Sequence, residues 1–200
     1  MKSIVWVIAA GDEDKDLVPT MLKDGVMLVG PSKNIGDLAE NYENKIANLK
    51  PKSNTKSALK CIKNRMKIDQ LIVLRLGSVC FSVGAIQSKY IFNLKYSHVI
   101  SFWNKNNYSP KEKPWSMQHT RKVNWYALND ERAIHYFRKG IYGSARRLYR
   151  LGDKGKKSEV AKSELNAYLL DLGYNNSNAD EILKKIGKLT IGVNSLGFPV

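Results

Sequence analysis

QLIVLRLGSVCFSVGAIQSKYIF, residues 70–92, decides what kind of fold this chain can adopt. Residues 71–76 and 79–86 are two apolar runs, and the Gly77-Ser78 pair between them has the chemistry of a tight turn. The stretch reads as two strands joined directly, with a third strand over 88–93. Working outward, IVWVIAA (4–10) and VMLVG (26–30) read as buried strands, the second broken by Gly30-Pro31. HVISFW (98–103) and RKVNWYAL (121–128) are further strand candidates, separated by the polar loop NKNNYSPKEKP (104–114).

Helical periodicity lies between and after these strands. LVPTMLKDG resembles a short helix ending at Gly25, and a loop with a short helix follows Asp37. SNTKSALKCIKNRMKIDQ (53–70) opens with capping residues, and Ala58, Leu59, Ile62 and Met66 recur at helical spacing, so a basic amphipathic helix is expected. Beyond residue 129 the texture is helical: ERAIHYFRKGIYGSARRLYRL, then 158–174, then 177–189 with a capping pattern of Asn178 and Glu181. The pattern predicts an α+β protein with a β-rich domain over 1–128 and a helical extension over 129–200.

Charge narrows the function classes. The chain of 200 residues carries a formal net charge of +15. Residues 1–50 hold 6 basic and 8 acidic side chains, residues 51–110 hold 10 and 1, residues 111–160 hold 13 and 5, and residues 161–200 hold 4 and 4. A basic field in the middle of the chain attracts polyanions and releases their counterions; a genome that favours lysine and asparagine would give the same excess with no ligand. Cys61 and Cys80 match no metal spacing and no disulfide framework, and fit reduced thiols. No apolar stretch approaches the roughly 20 residues of a membrane span, and the expected localisation is cytoplasmic.

Enzyme signatures are absent from the sequence. His98, His119 and His135 have no metal spacing, and there is no Gly-x-Ser-x-Gly, P-loop or Rossmann glycine pattern. The acidic GDEDKD (11–16) sits in an expected turn. The reading is therefore of a chain with no catalytic residues, no metal and no cofactor.

Several landmarks occur in order: Trp6-Val-Ile-Ala-Ala-Gly; Val26-Met-Leu-Val-Gly, then Gly36-Asp37-Leu38; a basic helix; Ile68-Asp69-Gln70-Leu-Ile-Val-Leu; Ser82-Val-Gly-Ala-Ile, then Tyr90; and His119-Thr-Arg-Lys-Val-Asn-Trp125. This order resembles the EVE-like domains of the PUA superfamily at the N-termini of McrB-type restriction proteins, relatives of the YTH readers, and it covers roughly residues 4–128. The resemblance implies a small mixed β-barrel with flanking helices that binds DNA and extrudes one base, a modified base among the candidates, into an aromatic pocket. The partners it implies are double-stranded DNA, methylated or not, and an AAA+ GTPase/ATPase motor or nuclease subunit that carries out cleavage. Two departures stand out: Gly30-Pro31 replaces the Gly-Trp common in that family, and Ile68-Asp69 replaces Gly-Asp.

A flipped base needs stacking, hydrogen bonds to its edge and phosphate contacts. The candidates for stacking are Trp6, Tyr90, Trp103, Trp115 and Trp125; Trp6 and Trp125 have core packing as the competing reading. On a strand from 121, Arg121, Val123 and Trp125 share one face and Lys122 points to the other. Val123 and Trp125 mark the core face, so Arg121 is expected at its rim, with His119, facing phosphate. Lys56, Lys60, Lys63 and Lys67 recur at spacings of four, three and four and share one helical face. Arg146, Arg147 and Arg150 are further cations for contact with DNA backbone or with a neighbouring domain. The competing classes are a PUA- or ASCH-like RNA-binding module and a structural helper that docks through its helical tail.

Overall fold

A computed structural model describes residues 4–12, 15–30, 35–50, 53–77, 79–99, 115–139, 148–152 and 155–190. The protein is α+β, built on an eight-stranded sheet that curls into a half-barrel with helices on both faces. In chain order, β1 is Val5–Ala9, the short pair β2 (Gly11–Asp12) and β3 (Lys15–Asp16) follows, and α1 is Val18–Asp24. Next come β4 (Val26–Val29), α2 (Tyr42–Ala47), α3 (Asn54–Lys60) and a π turn over Cys61–Arg65. β5 (Leu71–Leu76), β6 (Val79–Ile86), β7 (Ile91–Phe92), a 3-10 turn (Leu94–Tyr96) and β8 (His119–Leu128) continue the sheet. The remainder holds α4 (Glu131–Lys139), β9 (Leu148–Arg150), α5 (Gly155–Asp171), α6 (Ala179–Ile186) and β10 (Gly187–Leu189).

The spine of the sheet runs β10-β8-β6-β5-β1-β9, with β4 and β7 added to β8. β5 and β6 form the expected hairpin, with Leu71 opposite Ala85 and Leu76 opposite Val79. β1 lies parallel to β5, and β9 closes the far edge antiparallel to β1. The ten-residue β8 serves two sets of partners. Its first half pairs with β4 and β7, its second half with β6 and β10. One long strand shared in this way is what lets the sheet curl.

The period of two sorts each strand between two cores. Trp6, Ile8, Ile72, Leu74, Ile86, Val123 and Trp125 face inward with α1, β4, α3 and the π turn. Val5, Val7, Leu71, Val73, Val83, Ala85 and Tyr126 face α4, α5 and α6 on the other side. A sheet covered on both faces needs strands that are apolar at almost every position, as VWVIA and LIVLRL are. Gly84 fits this arrangement because Trp125 is its register partner, and a Cβ at 84 would lie 2.8 Å from the indole Cε3.

Several sequence readings change. The basic helix over 53–70 is α-helical only to Lys60 and then widens into the π turn, so Lys67 lies beyond it. Of the stretch read as helical from 131, Glu131–Lys139 is helix but Leu148–Arg150 is a strand, and 140–147 lies outside the described residues. The segment 129–190 therefore supplies both end strands of the sheet's spine as well as helices. The capping pattern of Asn178 is also absent: its side-chain oxygen instead accepts the Asn175 N–H at 2.8 Å. Only 91–92 of the third strand expected over 88–93 is strand, and most of 98–114 lies outside the described residues.

Candidate nucleic-acid interface

A helix end leaves carbonyls without amide partners. Here the Met66 N–H closes the π turn on the Cys61 carbonyl at 3.1 Å, and the Lys67 N–H turns to the Gln70 side chain at 3.0 Å. The carbonyls of Ile62 and Lys63 are taken by Arg121, whose Nε donates to Ile62 at 2.7 Å and Nη2 to Lys63 at 3.4 Å. Its Nη1 donates to the Ser88 carbonyl at 2.8 Å. Arg121 thus shares the face of Val123 and Trp125 as expected, but it does not stand at a rim. It is 3% exposed, and its guanidinium joins the π turn to the loop before β7. Burial lowers its pKa to about 10, so it remains charged at neutral pH. A guanidinium committed to three carbonyls has no fork to offer a phosphate, which corrects its expected role.

His119 is likewise buried, at 0% exposure, and not at a surface. Its Nδ1 lies 2.9 Å from the Tyr90 hydroxyl and the two rings stack with centroids 5.9 Å apart. The Tyr90 oxygen accepts the Leu38 N–H at 3.0 Å and donates to Asp37 Oδ1 at 3.2 Å. With that proton spent on the carboxylate, the consistent assignment has His119 Nδ1–H donating to Tyr90, leaving Nε2 as the acceptor nitrogen. Nε2 is buried with no partner among the described residues. Burial lowers the His119 pKa to about 4, only partly opposed by Asp37, so the ring is neutral. Burial also raises the Tyr90 pKa, and the phenol stays protonated.

Two ammonium groups surround this pair. Lys63 Nζ sits over the Tyr90 ring, 4.6 Å from its centroid. Lys45 Nζ donates to the Asp37 carbonyl at 2.6 Å. Both lysines are half-buried.

A cavity of about 50 Å³ opens at the ends of β1 and β4, lined by Ile8, Leu17, Leu28, Val29, Gly30, Trp115 and Met117 among others. By the same measure one water needs about 10–15 Å³, so the space takes roughly four waters, the scale of one small ring and not of a drug-sized ligand. Half-buried Trp115 is held there by two backbone bonds to Val99, each 2.8 Å. Gly30 is required at the wall, because a Cβ would lie 2.6 Å from Met117 Sδ and nearer still to the Ser116 carbonyl. The cavity and the tyrosine–histidine pair meet on one strand pair: Val29 lines the cavity, and its register partner is His119.

The other candidates divide. Trp6 and Trp125 are core residues, 3% and 2% exposed, with indole N–H groups bonded to Gln70 Oε1 and the Val26 carbonyl. Lys122 is exposed, as its parity predicts, and Lys67 is exposed beyond the π turn. Lys56 and Lys60 are half-buried on α3, and Lys56 Nζ donates to the Leu49 carbonyl at 3.2 Å. The stripe of four lysines is therefore split by the change of helical pitch. Arg150 lies in β9; Trp103, Arg146 and Arg147 lie outside the described residues. Sequence reasoning singled out no role for Asp37, Lys45 or Met117. Gly36-Asp37, a left-handed glycine before a carboxylate, was the available signal for the first. Among the described residues there is no group of three or more His, Cys, Asp or Glu side chains placed to hold a metal, and no helix long and apolar enough to cross a membrane.

The site thus combines a curled α+β sheet, a small cavity flanked by Trp115, and a tyrosine–histidine pair with two lysines beside it. The family described as a domain of unknown function, DUF8426, matches residues 6–152, and the chain belongs to it. That span crosses residue 128 and takes in α4 and β9. No curated protein matches the chain.

Proposed function

We propose that the chain is a DNA-binding specificity module that seats one base, a modified base among its targets, in the cavity beside Trp115. The observation that carries the reading is that cavity: apolar floor, glycine wall, tryptophan flank, in a chain of net charge +15. An aromatic face is worth about 1–3 kcal/mol per stacked base, enough to offset much of the cost of unstacking. The ordered resemblance to EVE-like domains supports the same reading. It extends it to a McrB-type restriction system, in which an AAA+ GTPase/ATPase motor or nuclease partner performs the cleavage.

The test is binding of the full chain to matched duplexes carrying no modification, N6-methyladenine, 5-methylcytosine or 5-hydroxymethylcytosine, with RNA duplexes and single strands as competitors. A tenfold preference for one modified duplex, about 1.4 kcal/mol, that disappears in Trp115→Ala supports the base seat. Equal affinity for all DNA duplexes, unchanged in Trp115→Ala, removes it. Firm RNA binding without DNA binding replaces the reading with a PUA- or ASCH-like RNA module.

A further inference from the structure

We infer that Lys45, Lys63 and Arg65 form one phosphate seat over the face of Tyr90, a site that takes a phosphodiester of the nucleic-acid backbone. The inference rests on the nucleic-acid reading above and adds where the backbone is held.

The three cations come from two segments that the fold brings together. Lys45 lies on α2, Lys63 and Arg65 on the π turn. Lys45 Nζ is anchored on the Asp37 carbonyl at 2.6 Å and its charge is felt by His119. Lys63 Nζ stands 4.6 Å above the Tyr90 ring, whose hydroxyl reaches both Asp37 and His119. Arg65 is exposed, and its charge acts on the Tyr42 hydroxyl of α2. Both lysines are held by a carbonyl or an aromatic face, and among the described residues none of the three cations is in a salt bridge.

Three carboxylates share the neighbourhood, and one of them, Glu40, is exposed beside Asp37. Asp37 Oδ1 already accepts the Ala39 N–H at 2.8 Å and the Tyr90 hydroxyl, and Glu43 on α2 is exposed. Asp37 is engaged by two donors and the exposed glutamates are screened by water, so the half-buried ammonium groups are left to meet a phosphodiester. Half-buried ammonium groups have given up part of their hydration and bind such an anion more strongly than fully solvated ones. The neutral His119 underneath adds no charge of its own and supports the Tyr90 ring. The π turn is also held rigidly by Arg121, so Lys63 and Arg65 are presented on a fixed backbone. His119 beneath the seat and the cavity-lining Val29 are register partners, so the seat and the proposed base site share the β4–β8 strand pair.

The experiment follows DNA-duplex binding by fluorescence anisotropy over a range of salt, using the full chain, Lys45→Gln/Lys63→Gln, and the control Lys184→Gln/Lys185→Gln on α6. Thermal melts establish that each variant is folded. Losing one phosphate contact lowers the slope of log affinity against log salt by about 0.9. The expected result is that decrease, with roughly tenfold weaker binding, in the Lys45/Lys63 variant and wild-type behaviour in the control. Wild-type slope and affinity in the Lys45/Lys63 variant would overturn the seat while leaving the nucleic-acid reading intact. Equal losses in both variants would also overturn it, by showing a diffuse charge effect. A wild-type chain that binds no nucleic acid at any salt would overturn the reading itself and the seat with it.

Discussion

The Nε–H of Arg121 donates to the carbonyl of Ile62 at 2.7 Å, across 59 residues of sequence. An arginine on the core face of a strand would be costly if its donors were unused. Here the π turn supplies carbonyls that its own backbone leaves unpaired, so the two irregular features satisfy one another. The same guanidinium holds Ser88, and through it the loop leading to Tyr90.

Arg121→Met should therefore destabilise the protein by about 3 kcal/mol or more, because it strands buried carbonyls as well as removing charge-assisted bonds. Arg121→Lys should recover little of this, since one ammonium cannot reach three divergent carbonyls. Urea unfolding checks both; a near-wild-type midpoint for the lysine variant would show that charge alone suffices.

His119 gives stability a pH dependence. Its folded pKa is about 4 and its unfolded value about 6.5. Between those values the unfolded chain binds the proton and the folded chain does not, so stability falls as pH drops through that window. The full loss is up to about 3 kcal/mol. Unfolding midpoints measured between pH 7 and pH 4 should show this decline, and His119→Asn should flatten it.

Gly84→Ala should displace the Trp125 indole. The new Cβ would meet Trp125 Cε3 and the Asn124 carbonyl, each at 2.8 Å. Overpacking of this kind costs about 1–3 kcal/mol, and the shift of a 2%-exposed tryptophan is visible in its fluorescence maximum.

Asp180 ties α6 to the back of the sheet. Its Oδ1 accepts from Asn124 Nδ2 at 3.0 Å and from the Tyr126 hydroxyl at 2.8 Å. Partial burial raises the carboxyl pKa, but the bonds from Asn124, Tyr126 and Lys184 outweigh it and hold the net value below the ordinary one. This contribution is present above the unfolded pKa and is lost as pH falls through the folded one. Asp180→Ala should cost about 1–3 kcal/mol in denaturant unfolding and loosen amide protection in α6 before the sheet.

Local pattern carried much of the fold. The apolar runs at 4–10, 26–30, 71–76 and 79–86, the turn at Gly77 and the glycine end of α1 were legible because each follows from its own few residues. β9 was not: Leu148–Arg150 is too short to show a period, and it is a strand because β1 offers an open edge. The π turn was hidden for a similar reason, since its residues fit α-helical spacing until Arg121 takes the carbonyls.

The candidate site was legible only in outline. The sequence placed Arg121 beside Val123 and Trp125 by parity, turned Lys122 outward, and singled out Tyr90, Trp115, His119 and Lys63. It could not say that Arg121 and His119 are enclosed, because enclosure depends on what α3, the π turn and the 36–38 turn lay over the end of β8.

By itself the sequence determined the long apolar strands, the central excess of positive charge and the face each β8 side chain takes, since these depend on period and composition. Only the tertiary structure decided which polar groups are spent internally and which stay exposed. Hydrogen bonds between residues 59 positions apart, as between Arg121 and Ile62, exist only once the chain has closed around them.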